Sequence, residues 1–133
     1  MARHFALTVH LHDRRYHGAD EWPPAPARVF QALVAGAAQG RHVPEDAARA
    51  LKLLERLAPP VIAAPVARRG QRVSLFVPNN DLDAVGGHPD RVGEVRTKKT
   101  VQPHLLEGEA PFLYAWPLLE EGDAPHLKAL FES

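Results

Sequence analysis

Apolar and polar positions alternate from the first residues of the chain. The apolar positions are Phe5, Leu7, Val9 and Leu11, and the residues between them are small or polar. A period of two predicts a β-strand with one buried face. Two further segments alternate in the same way, and we predict them as strands as well: Val73 to Val77 and Phe112 to Trp116.

A helical period is found in three other segments. Pro26 suits the first turn of a helix, because its missing N–H would be unpaired there anyway. Apolar residues then recur three and four apart over 29–37. A second helix is predicted from near Pro44 to the Pro59-Pro60 pair, since proline disfavours helix in the residue before it. A third begins near Asp123, which is able to cap it.

The order of these elements predicts the fold class. A short apolar run at 61–66, interrupted by a proline, adds an edge strand. Strand, helices, strand pair, loop, strand and helix make an α+β, ferredoxin-like β-α-β-β-α unit that lacks its last strand. We therefore expect the amino-terminal portion of a longer protein, unless a hairpin strand within 61–77 completes the sheet. Residues 78–111 show no sustained period, which predicts a long basic loop or hairpin before the third main strand.

Composition excludes several functions without identifying one. The 133 residues include no cysteine, which excludes disulfides and thiolate chemistry and fits a cytoplasmic location. Hydrophobic residues are 45% and the formal net charge is zero. The charge of the whole chain therefore does not indicate nucleic-acid binding, and such a function must rest on local clusters. No apolar run approaches the roughly 18 residues of a membrane span.

Four segments follow one another in an order that resembles a known family. They are EWPPAPARVFQALVA (21–35), LFVPNNDLD (75–83), RTKKTVQPHLL (96–106) and FLYAWPL (112–118). Together they resemble the amino-terminal region of the fused Cas-five-like and Cas-six-like subunit of type I-G (formerly I-U) CRISPR interference complexes. Both halves of that subunit belong to the RAMP superfamily, whose domains have RRM-type, ferredoxin-like folds.

The resemblance implies a function and a set of partners. Residues 1–133 would form a Cas-five-like domain with a thumb-like loop inserted at 78–110. Such a domain binds the 5′ handle of the guide RNA and caps one end of a Cascade-type ribonucleoprotein complex in antiviral defence. The implied partners are the guide RNA, the Cas-seven-like backbone subunit, the large subunit and, indirectly, target DNA, with no membrane. The family's metal-independent repeat-RNA endoribonuclease belongs to the Cas-six-like half, which we expect outside this chain. We therefore assign no catalytic residue, no metal and no cofactor.

Basic, amide and aromatic side chains near the predicted strands are the candidates for RNA binding. Segment 96–104 interleaves three cations with hydroxyls and has no acid, a composition that suits phosphate oxygens. Extended backbone would place Arg96 and Lys98 on one side and Lys99 on the other. The candidates are Arg96, Lys98, Lys99, His104, Asn79, Asn80, Arg14, Arg15, Tyr16, Arg28, Arg68 and Arg69.

Each of these clusters also has a structural interpretation. Basic runs are commonly solvated loops, and Asn79 with Asn80 either cap their own turn or contact a base or 2′-hydroxyl. The aromatic stripe at 112–116 is more typical of a core than of a stacking platform. His10 and His12 share a strand face. Ordinary surface histidines are the default interpretation there, and of the functional ones we favour an open surface that meets RNA over a metal site.

Two other functions remain open. One is a metal-independent endoribonuclease that processes repeat RNA with His or Tyr as general base. The other is a purely structural subunit that contacts only protein, through the apolar helix faces around Phe30 and Leu54.

Overall fold

The computed structural model describes residues 3–18, 20–78, 86 and 88–131. In chain order its elements are β1 (His4–Val9), β2 (Arg15–Tyr16), α1 (Pro26–Ala37), α2 (Glu45–Arg56), β3 (Val61–Ala63), β4 (Ala67–Arg69), β5 (Val73–Pro78), a 3₁₀ helix (Pro89–Val95), β6 (Arg96–Val101), β7 (His104–Leu106), β8 (Phe112–Pro117) and α3 (Asp123–Lys128). Within those residues, no helix has the length and apolar character needed to cross a bilayer.

The main sheet contains three strands in the order β1-β8-β3, with both pairs antiparallel. Phe5 of β1 lies opposite Trp116, and Ile62 of β3 lies opposite Tyr114. Since β1 and β3 both run against β8, they are parallel to each other and are joined by α1 and α2. This is the arrangement of the first three strands of a ferredoxin-like unit. The mixed α+β fold class predicted from the sequence is confirmed.

The core lies between this sheet and the helices. Phe112, Tyr114 and Trp116 of β8 are 1%, 0% and 4% exposed. They pack against one buried residue of α1, two of α2, the residue that follows α2 and one of α3: Val29, Leu53, Leu54, Leu57 and Leu127. The aromatic stripe is therefore core and not a stacking platform, as its pattern had favoured.

The strands that the structure describes within 78–111, a range that showed no period, belong to two smaller sheets. One has the order β2-β7-β4, and the other is the hairpin of β5 and β6. The predicted loop or hairpin is thus a hairpin. Alternation did not reveal β6 because five of its six residues are exposed, and a strand without a buried face has no apolar period. The strand β7 has only three residues, too few for a pattern.

Candidate nucleic-acid interface

The hairpin places an exposed aromatic ring among cations. Directly paired residues of two antiparallel strands share a face, and Phe76 pairs with Lys98. The same face includes Arg96 and Thr100, the diagonal neighbours of Phe76, and the Phe76 side chain is 64% exposed. Proteins that bind single-stranded nucleic acid combine an accessible aromatic ring with flanking cations, because the bases stack on the ring while the phosphates contact the cations.

The other face of the hairpin is aliphatic apart from Lys99 and Thr97. Its apolar residues on β5 are Val73, Leu75 and Val77, which are 46%, 47% and 37% exposed. Lys99 pairs with Leu75, whereas Lys98 pairs with Phe76 on the opposite face. The predicted division of Arg96 and Lys98 from Lys99 is therefore confirmed.

A concave pocket of about 560 Å³ lies at the root of the hairpin. It is formed where three segments meet that are far apart in sequence. Its lining residues are His17, Gly18, Asp20, Arg69, Arg72, Lys99, Thr100, Val101 and Gln102. With three cations and one carboxylate, the lining has a formal charge of +2 while His17 is neutral. The local charge therefore favours an anion, although the whole chain is neutral.

Hydrogen bonds hold the two arginines of this pocket in place. Arg69 donates from Nη2 to Asp20 Oδ1 at 2.9 Å and to Gln102 Oε1 at 3.0 Å. The same amide oxygen accepts from Arg72 Nε at 3.3 Å, and Gln102 Nε2 donates to the Gly70 carbonyl at 2.9 Å. One glutamine thus fixes both guanidinium groups.

His104 lies beneath Arg69 and is only 6% exposed. Its Nε2 is 3.1 Å from Arg69 Nη1, and its ring stacks on Trp22 with centroids 6.0 Å apart. Burial, and then the Arg69 guanidinium, hold the pKa of His104 below its usual value. When the ring is neutral and Nε2 carries no proton, Nε2 accepts a hydrogen bond from the Arg69 N–H. A proton on Nε2 would instead place two positively charged donors next to each other. His104 therefore orients the Arg69 guanidinium through this contact.

Tyr16 and Arg28 are brought together by Glu21. The Tyr16 hydroxyl donates to Glu21 Oε1 at 3.0 Å, and Arg28 Nε donates to the same oxygen. The Tyr16 hydrogen bond, followed by the Arg28 contact, holds the pKa of Glu21 below its usual value. Tyr16 and Arg28, both predicted from the sequence to bind RNA, thus each donate a hydrogen bond to Glu21 within the protein.

Arg14, Arg15 and Arg68 surround a separate cavity of about 400 Å³. Two acids, Asp13 and Glu107, also line it, so its charge is mixed. Arg14 has a φ of 55°, uncommon for a residue with a Cβ, and its carbonyl accepts from Leu106 N at 3.0 Å. The three arginines predicted from separate segments do converge here.

The structure thus divides the predicted residues into four groups: the hairpin cations, the Arg69–His104 pair, the Tyr16–Arg28 pair and the three arginines around the smaller cavity. Asn79 and Asn80 lie outside the described residues. Sequence reasoning did not single out Phe76 or Gln102. Phe76 had a signal, because it is a large aromatic at a polar-phase position of an alternating strand. Gln102 had none, since its role depends on Arg69 and Arg72 from another segment.

The described residues include no group of three His, Asp or Glu side chains arranged to hold a metal ion. The structure accordingly gives the pair His10 and His12 no third ligand within that part of the chain. Both side chains are exposed at the end of β1.

The sequence matches the model of a protein family. Its description is "CRISPR-associated protein, GSU0054 family", and it matches residues 2–119. No curated protein and no solved structure matches the chain. The matched span runs from the first strand to the end of the last one, so it includes the hairpin and the pocket at its root.

Proposed function

Since the chain belongs to the GSU0054 family of CRISPR-associated proteins, we propose that it is the subunit of an interference complex that binds the 5′ handle of the guide RNA. Family membership gives it a role in CRISPR defence. The finer proposal is a Cas-five-like domain of the fused type I-G subunit, which caps a Cas-seven-like backbone in the cytoplasm beside the large subunit. Target DNA would meet it only through the guide.

The observation that carries this proposal is the Phe76 face of the hairpin. The two strands contain three cations and no acid, and their principal contacts are with each other and with the 3₁₀ helix. Both faces are therefore accessible to a ligand. A base stacked on an aromatic ring contributes about 1–3 kcal/mol, and cations on either side of the ring bind the adjoining phosphates whatever the base sequence.

The test is the salt dependence of RNA binding. We expect the double variant Lys98→Ala/Lys99→Ala to bind repeat-derived RNA more weakly. The slope of log affinity against log salt should become shallower by about 0.7 for each phosphate of a single strand that the variant no longer neutralises. Filter binding between low and physiological salt measures both quantities.

The matched control is Arg49→Ala/Lys52→Ala, which removes two exposed cations from α2 instead. It should keep the affinity and the slope of the wild type. The proposal would be wrong if the wild-type chain did not bind the RNA at low salt, or if both double variants lost affinity equally.

The aliphatic face of the hairpin favours a second candidate, in which this element contacts protein only. Val73 and Leu75 are nearly half exposed, and exposed apolar side chains that adjoin one another are common in interfaces. Ultraviolet crosslinking of the assembled complex separates the candidates. RNA adducts within 96–104 support the first, and their absence together with protein adducts at 73–77 supports the second.

A further inference from the structure

The pocket at the root of the hairpin adjoins the Phe76 face, which is the face formed by Phe76, Arg96, Lys98 and Thr100. Thr100 belongs to the Phe76 face and also lines the pocket. It lies two residues from Lys98, which is about 7 Å along an extended strand. A nucleic-acid strand that follows the Phe76 face would therefore arrive at the pocket within its next nucleotides.

The arginines of the pocket are arranged before any ligand arrives. Gln102 Oε1 accepts from both Arg69 and Arg72, and its amide nitrogen is bound to the Gly70 carbonyl. A side-chain amide with both ends engaged has one orientation. Holding a guanidinium in place reduces the conformational entropy that it loses when it binds an anion.

The floor of the pocket supports the same arrangement. Arg69 rests on His104, and the His104 ring stacks on Trp22. At the strand end, the Gly70 N–H donates to the Pro103 carbonyl at 2.7 Å, and a Cβ on Gly70 would lie 2.9 Å from the Pro103 ring. Gly70, which lies between Arg69 and Arg72, is thus packed closely against Pro103, which lies between β6 and β7.

Free donors remain for a ligand. Arg72 uses only its Nε in the hydrogen bonds of the described residues, so its two terminal nitrogens are available. Lys99 and Thr100 line the same space, and none of the ion pairs within the described residues includes Lys99 or Arg72. Guanidinium forks, an ammonium group and a hydroxyl match the oxygens of a phosphate group.

We infer that this pocket binds one phosphate group, held by Arg72, Lys99 and Thr100 and flanked by the fixed Arg69. The identification of that phosphate as part of the RNA on the hairpin rests on the proposed function. The phosphate is either an internal diester of the strand or its 5′-terminal monoester. A volume of about 560 Å³ also leaves room for the adjoining sugar.

The first experiment uses inorganic phosphate as the probe. The full chain is titrated at constant ionic strength against chloride, and NMR follows the backbone amides of 100–102 and the Arg72 Nε–H. We expect saturable shifts at these groups, with affinity reduced about tenfold or more in Arg72→Gln, because that variant cannot form the hydrogen bond between a guanidinium and the anion. Gln102→Met, which keeps every charge, should also weaken binding.

The matched control is Arg91→Gln, an exposed arginine of the 3₁₀ helix that pairs with Glu94. It should bind phosphate as the wild type does. The inference is overturned if the shifts do not saturate, or if Arg72→Gln and Arg91→Gln behave alike.

The second experiment identifies the source of the phosphate. Oligouridine is prepared with either a 5′-phosphate or a 5′-hydroxyl, and its binding is measured at several salt concentrations. If the two strands bind with equal affinity, and Arg72→Gln weakens the binding of both, the pocket holds an internal diester. If the 5′-phosphorylated strand binds more tightly, the pocket holds the 5′-terminal phosphate. If Phe76→Ala weakens RNA binding but Arg72→Gln does not, the pocket inference fails while the proposed function stands. If the pocket binds inorganic phosphate but the chain binds neither RNA, the proposed function fails and the phosphate site stands.

Discussion

Single buried polar groups determine how the loops are attached to this small core. Tyr114 is fully buried, and its hydroxyl donates to the Pro24 carbonyl at 2.5 Å. Burial raises the pKa of Tyr114 to about 12, so the hydroxyl keeps its proton at neutral pH. This one bond connects the centre of the main sheet to the segment that leads into α1.

We expect Tyr114→Phe to lower the free energy of unfolding by about 1–3 kcal/mol, because it leaves a buried carbonyl without a donor. Urea denaturation measures the change. Tyr16→Phe is the control, and its effect should be smaller, since Glu21 remains bound to Arg28 and is partly exposed. Equal losses in the two variants would contradict the assignment.

His104 should make the stability of the protein depend on pH. Its pKa is below 6.5 in the folded chain and near that value when unfolded. Its contribution is therefore complete above about pH 6.5. As the pH falls below that value, the unfolded chain binds the proton first, and the free energy of unfolding decreases until folded His104 is protonated too.

The measurement is urea denaturation between pH 8 and pH 5. His104→Phe keeps an aromatic ring beside Trp22 and should show a shallower decrease than the wild type. The chain has eight histidines, so only the difference between the two profiles is informative. His4→Gln, at an exposed position of β1, should follow the wild type, and parallel profiles for all three proteins would exclude His104 as the cause.

At the scale of elements, the β5–β6 hairpin is more exposed than the other strand pairs that the structure describes. Its sequence contains alternating apolar residues on one strand and cations with hydroxyls on the other. When the strands pair, residues directly opposite each other project to the same side. The hairpin therefore has one face with Phe76 and Lys98 and another with Leu75 and Lys99. The alternation of β5 was readable from the sequence, but its pairing with a strand about twenty residues later was not, since that depends on the register.

Phe76→Ala should weaken RNA binding by about 1–3 kcal/mol, the range for one stacked base, while Phe76→Trp should retain it. Fluorescence anisotropy with labelled repeat RNA measures the affinities. Leu75→Ala is the control, because Leu75 is the adjacent exposed apolar residue on the opposite face, 47% exposed where Phe76 is 64% exposed. Loss of RNA affinity in Leu75→Ala, with none in Phe76→Ala, would place the RNA on the aliphatic face instead.

At the scale of the whole molecule, the core and the hairpin are nearly independent. The core is built from β1, β3, β8 and the three helices. The hairpin extends at one place from the β2-β7-β4 sheet, next to β4 and β7, where Val73 pairs with Val101 and the Gly70 N–H donates to the Pro103 carbonyl. The ends of the hairpin are therefore held together by the body of the protein.

Replacing residues 74–100 by an Asn-Gly turn should preserve the fold, because that dipeptide closes a two-residue hairpin between paired strand ends. We expect the shortened chain to unfold cooperatively at nearly the wild-type temperature and to lose RNA binding. Circular dichroism and filter binding measure the two outcomes. Loss of cooperative unfolding would show that the hairpin is needed for the core.

The sequence alone determined the elements whose pattern is local. Period two revealed β1, β5 and β8, the helical period with flanking prolines revealed α1 and α2, and together they predicted the α+β class. These patterns are readable because burial of one face sets the residue types along a single segment. The apolar run at 61–66 and the cap residue Asp123 likewise indicated β3 and α3. The tertiary structure alone decided the remaining strands and the pocket. The short strands β2, β4 and β7 exist only through partners distant in the chain, and the phosphate pocket needs Asp20, Arg69 and Gln102 from three separate segments. Contacts of that kind leave no period in any one segment, so the basic loop was visible in the sequence while its geometry was not.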